Sequence, residues 1–184
     1  MNLTNQLLIA TPDMADERFS KAVILVCEHN EHGALGININ QPSDIIFDEI
    51  LESLSIPMGL EQNDSIIYEG GPVNGQCGFI LHQNLQDYDS SIEISKNIAL
   101  TTSKDIIKAI ANDAIKGQWL MALGCATWHE GQLEQEIADN AWLSCASNDQ
   151  LIFNNHQDPQ NKWEQALKVI GVKPHQLSGD IGHA

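Results

Sequence analysis

Three consecutive residues, Cys27-Glu28-His29, carry the sharpest chemical signal in the 184-residue chain. They close an apolar stretch at 22–26 that reads as a strand, and side chains two apart on a strand project from one face. That spacing sets the Cys27 thiol beside the His29 imidazole, an arrangement that lowers a thiol pKa and makes a nucleophile. Glu28 points the other way and cannot complete a triad through the strand. A structural reading competes: Cys27 extends the apolar face of Val23 and Leu25, and His29 is hydrogen-bonded at a hairpin mouth. A metal needs three or four convergent ligands, which two strand neighbours do not supply, so no metal site is expected.

Other stretches could serve a ligand. Gly70-Gly71-Pro72-Val73 follows a strand-like segment, and the backbone N–H groups of Gly70 and Gly71 could face an anion. The stretch lacks the lysine of a phosphate loop and the third glycine of a dinucleotide fingerprint, and a sharp turn uses the same residues. Thr101-Thr102-Ser103 enters a helix whose N-terminus could hold a phosphate or carboxylate at Thr102 and Ser103. Capping is the plainer role there. His82 ends another strand and is a second candidate proton acceptor for Cys27. Glu134 and Glu136 fall on different faces of a helix and make no carboxylate pair. With no C-x-x-C among Cys27, Cys77, Cys125 and Cys145, neither a thioredoxin-type motif nor a zinc ribbon can be written, and no cofactor is implied.

The elements that must position these residues follow one another at short intervals. Strand patterns cover residues 6–10, 22–29, 35–40, 66–69, 78–82, 92–95, 98–101, 119–127 and 141–145. A turn of helix is expected within 13–20. Longer helices are expected over 47–54, from Ser103 to about Asn112, and over 131–139. A last helix starts with Asp158 as N-cap and Pro159 in the first turn, and turns Trp163, Ala166, Leu167 and Ile170 inward. Hairpins interspersed with single helices point to an α+β fold with a largely antiparallel sheet. One domain spans residues 1–184, with 178–184 reading as a loose tail.

Composition narrows the function. The formal charge is −16, from 25 acidic and nine basic residues, and Arg18 is the only arginine. Nucleic acid is bound largely by neutralising phosphates with Lys and Arg, so direct DNA binding is disfavoured, as is an anionic membrane surface. No apolar run approaches the roughly 20 residues of a membrane span, and the first residues lack the pattern of an export signal. A cytoplasmic protein is expected. The tryptophans 119, 128, 142 and 163 are too scattered for a stacking platform and are expected in or beside the core.

Taken in order, these pieces resemble the YqgE/AlgH family of bacterial proteins. The resemblance rests on Leu7-Leu8-Ile9-Ala10 with Pro12, Cys27-Glu28-His29, Gly33-Ala34-Leu35-Gly36, and Asn40 with Pro42. It continues through Gly70-Gly71-Pro72-Val73, Gly78-Phe79-Ile80-Leu81-His82, Leu100-Thr101-Thr102-Ser103, Trp128, Gly131-Gln132-Leu133-Glu134 and Asn140-Ala141-Trp142. Thr11 and Cys125-Ala126-Thr127 depart from the usual pattern, which weakens any special role for Cys125. The resemblance implies an α+β fold whose mixed, mostly antiparallel, branched sheet curls into a barrel-like core with flanking helices. It brings the label of a transcriptional regulator and no catalytic residues. The leading expectation is a binding or regulatory domain without catalysis. Its cleft would lie near the hairpin ending at Asn40 and the 70–82 segment, holding a small anion or a segment of a protein partner. A Cys27 thiol enzyme or redox-responsive protein comes second, and a DNA-binding regulator third.

Overall fold

Strands whose residues are apolar on both faces need cover on both sides, and one sheet with helices on each side supplies it. The computed structural model describes residues 2–57, 59, 64–83, 88–155 and 158–177. Its strands are β1 (Gln6–Ala10), β2 (Val23–Asn30), β3 (Gly33–Asn38), β4 (Ile67–Glu69), β5 (Val73–His82), β6 (Ile92–Glu93), β7 (Ala99–Thr101), β8 (Trp119–His129) and β9 (Trp142–Ala146). The helices are α1 (Phe47–Ser53), α2 (Lys104–Ala111), α3 (Gln132–Ala138), α4 (Asp149–Phe153), α5 (Pro159–Val169) and α6 (Pro174–Leu177). The strand order is β6-β7-β5-β8-β3-β2-β1-β9, antiparallel throughout, with β4 joining β8 in parallel off that path. The largely antiparallel α+β sheet expected from the residue pattern is present, and it is branched as the family resemblance implies.

The branch lies on β8. One edge of β8 pairs with β5, while the other takes β4 at Met121–Leu123 and then β3 from Ala126 to His129. At the handover the Gly70 N–H donates to the Leu123 carbonyl at 2.8 Å, and the Asn38 N–H donates to the Gly70 carbonyl at 2.9 Å. No side chain fits there. A Cβ on Gly70 would stand 2.2 Å from the Gly124 carbonyl oxygen, and one on Gly71 (φ +152°) 2.2 Å from the Cys125 carbonyl carbon. The Gly-Gly pair is there because two strands cross the backbone of a third at close range.

Alternation along β2 explains its apolar run. Val23 and Leu25 join Leu7, Ile37, Leu81 and Leu120 inside the curl, closed by Phe153 of α4 and by Trp163 and Leu167 of α5. Ile24 and Val26 face outward with Leu8, Trp128 and Trp142 and are covered by Leu133 of α3. Farther along, Ile80 and Met121 pack under Phe47 and Ile50 of α1 and Ile106 and Ile110 of α2. The Asp158 side chain accepts from the Gln160 N–H and Pro159 opens α5, as its sequence predicts.

Several expectations need adjusting. The expected strand at 92–95 is shortened to the two-residue β6, and β5 begins five residues before the expected 78. Helix α4, with Asn148 capping the Leu151 N–H, was not anticipated. The turn expected within 13–20 is a short 3-10 helix at Glu17–Phe19. Residues 178–184, read as a tail, lie outside the described residues. Among the described residues, no helix is long and apolar enough to cross a membrane.

Candidate functional site

The thiol and the imidazole of the Cys27-Glu28-His29 stretch do not meet. Val26 pairs with Gly36 and Glu28 with Leu35, so Cys27 is the extra residue of a β-bulge. A bulge shifts the alternation of side chains by one position. Cys27 stays inside the curl, with its Sγ–H 3.5 Å from the Leu25 carbonyl, while His29 turns to the α3 face. The shared face expected from a two-residue period is thus corrected. Burial pushes the Cys27 thiol well above its ordinary range, and the neighbouring Cys125 adds to the shift. A thiol held protonated in an apolar setting is not a nucleophile.

His29 works as a tie. Its Nδ1 accepts from the Leu3 N–H at 3.0 Å, which places the ring proton on Nε2, 2.9 Å from Glu134 on α3. The His29 N–H donates to Thr4 Oγ1 at 3.0 Å. The N-terminal segment and α3 are both fastened to the hairpin through this residue. Glu134 is held below the usual carboxyl range, first by a hydrogen bond from its own backbone N–H and also by His29.

His82, the second candidate proton acceptor, lies elsewhere and is fully buried. Its Nε2 is 2.8 Å from Thr101 Oγ1, which is 2.7 Å from Ser91 Oγ, and its ring meets Tyr88 edge-on. Thr102 and Ser103 do precede α2, but Asp105 takes the place an anion would fill. The Asp105 carboxylate accepts from Ser103 Oγ and from the N–H groups of Ile106 and Asp89. Burial raises its pKa, but these hydrogen bonds outweigh burial and hold it low. Ser103 therefore stands at the N-cap position without capping through its side chain. Asn40 is also occupied: its Oδ1 accepts from the Val23 N–H, and its Nδ2 donates to the carbonyls of Lys21 and Pro159. Gly70 has its N–H committed to β8.

The hairpin end and the 70–82 segment do meet, and a groove runs beside their junction. One hollow of about 550 Å³ is lined by Asn38, Gln41, Gly71 and Pro72, with Glu17 and Glu69 at its rim. A second, of about 610 Å³, lies between α1 and α2 over Met121 and Leu123. Ile45, Gly75 and Leu123 line both, so the two form one groove. Its walls are Ile50 and Leu54 on one side and Ile107 on the other. Ile45, 42% exposed, stands open to solvent in its lining, and its chain neighbour Ile46 is 56% exposed. The first half of β5 bulges outward between the Val73–Cys125 and Gly78–Leu123 pairs and sets exposed Cys77 on the rim.

One residue with unusual chemistry escaped the sequence reading. Lys162 on α5 is 1% exposed, its Nζ donates to the carbonyls of Ile39 (2.9 Å) and Ile152 (3.1 Å), and it lies 5.3 Å from the centre of the Tyr68 ring. Among the described residues it has no carboxylate partner. Burial pulls its amine down to about 7. The signal was present: Lys162 stands four residues before Ala166, inside the apolar stripe of the helix.

These positions give a prediction for cysteine chemistry. In the native, reduced protein iodoacetamide should modify Cys77, while Cys27, Cys125 and Cys145 react only on unfolding, since burial raises the last two thiols as well. Peptide mass mapping of the alkylated protein checks it.

Comparison with known proteins adds identity. The AlgH-like family model matches residues 7–175. The chain belongs to the AlgH-like family. Two AlgH-like relatives are the UPF0301 proteins of Vibrio cholerae serotype O1, 41% identical over 189 residues, and Ralstonia pickettii, 44% identical over 188. All of this chain is matched in both, with 100% and 96% of the relatives covered. The solution structure of AlgH from Pseudomonas aeruginosa superposes with a TM-score of 0.81 at 38% identity, covering all of this chain and 97% of that one. A crystal structure from Corynebacterium diphtheriae shares the fold at a TM-score of 0.74 and 21% identity, over 96% of this chain and 91% of that one. The AlgH-like family has no established activity.

Proposed function

We propose that this AlgH-like protein is a cytoplasmic, non-catalytic binding domain whose groove between α1, the β4–β5 connection and α2 takes an apolar, positively charged segment of a regulatory partner protein. The observation that carries this reading is the groove's combination of an apolar floor with an acidic rim. Glu17, Glu49 and Glu69 line it against Lys104 and Arg18, and Arg18 is already paired with Asp16, with an N–O distance of 2.6 Å. Asp48 and Glu52 add to the same sign on α1. A net charge of −16 steers a basic partner toward the protein and repels the small anion that was the other expectation. Four free cysteines support a reducing compartment. The same charge disfavours a reading as a DNA-contacting regulator, and the separation of Cys27 from His29 and His82 disfavours a thiol enzyme.

An amide-shift titration with a short peptide of alternating leucine and lysine, beside its leucine–glutamate counterpart, tests this proposal. The basic peptide should shift the amides of Ile45, Leu54, Cys77 and Leu123 and bind more weakly as salt rises. Ile45→Ser and Glu69→Lys should each weaken it by about 10-fold, equivalent to about 1.4 kcal/mol. Equal binding of both peptides, or shifts confined to another face, would remove the reading.

A further inference from the structure

A further hollow, sharing no lining residue with the groove, lies between the start of β8, α4 and the outer face of α5 and measures about 830 Å³. Its chemistry differs from that of the rest of the surface. Six side-chain carboxamides line it: Gln118, Asn148, Gln150, Asn154, Asn155 and Gln165. Amide residues make up 29 of the 184 in the chain, so nearly half the lining against under a sixth of the sequence is a concentration. In a chain with 25 acidic residues none lines this hollow among the described residues, and Lys168 is its one charge. Trp119 is half-buried and lines the hollow, and its ring lies 6.0 Å from that of Phe47 between centres. Leu151 and Phe153 complete an apolar base.

From this lining we infer that the hollow is a binding site for a neutral saccharide. Each hydroxyl of a sugar both donates and accepts, and a carboxamide offers both roles in one group. The C–H face of a pyranose ring is weakly positive and apolar, which suits the face of an indole. The Asn155 Nδ2 donates to the Trp119 carbonyl at 3.1 Å, which fixes this wall of the hollow against the start of β8. The volume lies within the range of small-molecule pockets and has room for two sugar units. A single lysine is too little for a phosphate-bearing ligand, and among the described lining residues there is no carboxylate to neutralise a cation. The site is separate from the groove and stands or falls independently of it.

Saturation-transfer and amide-shift titrations with cellobiose, maltose and chitobiose, run beside adenosine and inorganic phosphate, test the inference. At least one disaccharide should bind saturably with a Kd on the order of millimolar and shift the amides of Trp119, Asn154 and Asn155. The exposed-side variant Gln150→Ala combined with Asn154→Ala should weaken that binding by about 10-fold at an unchanged thermal midpoint, and Trp119→Leu should abolish it. If no disaccharide perturbs these amides, or if only adenosine or only phosphate does so, the inference is wrong.

Discussion

Lys162→Ala should destabilise the protein by about 3–4 kcal/mol, measured by urea denaturation near neutral pH. Two losses combine. The four-carbon stem leaves a cavity between α5 and the sheet, which in buried positions costs on the order of 2–5 kcal/mol. The carbonyls of Ile39 and Ile152 also lose their common donor. Lys162→Met keeps the volume and removes the desolvated amine, so its cost should be nearer 1–2 kcal/mol. The pair also has a pH signature. An unfolded lysine titrates at about 10.4, and in the native state burial holds Lys162 at about 7. Between those values the unfolded chain binds the extra proton, so this group makes stability rise with pH through that window. The unfolding free energy of the wild type should therefore gain on Lys162→Met by about 1 kcal/mol per pH unit from pH 7.5 to 9.5. A pH-independent difference would mean that the two carbonyls and the Tyr68 ring keep the amine charged throughout.

Glu136→Ala should cost about 2–4 kcal/mol, for a different reason. One carboxylate oxygen of Glu136 accepts from both the Trp128 indole N–H (2.9 Å) and the Trp142 indole N–H (2.7 Å), while the other accepts from Gln132 Nε2 (2.8 Å). Both tryptophans are buried, so the truncation strands two indole donors away from water. Glu136→Gln keeps an acceptor in place and should cost about 1 kcal/mol. Guanidinium unfolding followed by tryptophan emission measures both variants. Equal stability of wild type and Glu136→Ala would show that water reaches these indoles in the native state.

Much of the scaffold is readable from residue patterns because local chemistry and burial agree there. Asp158-Pro159 opens α5, the Ile106–Ile107–Ile110 stripe buries one face of α2, and β2 is apolar on both faces because helices and the curl cover both. The chemical site was less legible because it depends on register. A single extra residue at Cys27 reverses the side on which His29 emerges, and no composition rule marks that position as a bulge. Gly70 and Gly71 looked like a turn or an anion cradle, yet their need for glycine arises from β8, more than fifty residues later in the chain. Thr102 and Ser103 matched a helix start, but only the fold shows the Asp105 carboxylate collecting their neighbouring donors. The groove is assembled from α1, β5, β8 and α2, whose meeting no local stretch announces. Lys162 was legible in principle, since a lysine in an inward stripe must either snorkel or find acceptors, and here it finds carbonyls.

The most direct test of the groove as the binding surface uses its own thiol. Cys77 lies on the rim, exposed, while the other three cysteines are buried. Its alkylation rate is measured alone and with the leucine–lysine peptide at saturation, verified independently by calorimetry. An occupied groove predicts a rate lowered by at least about 10-fold, with the protection lost in Ile45→Ser at the same peptide concentration. An unchanged Cys77 rate while calorimetry shows the peptide bound would place the binding surface elsewhere and contradict the account.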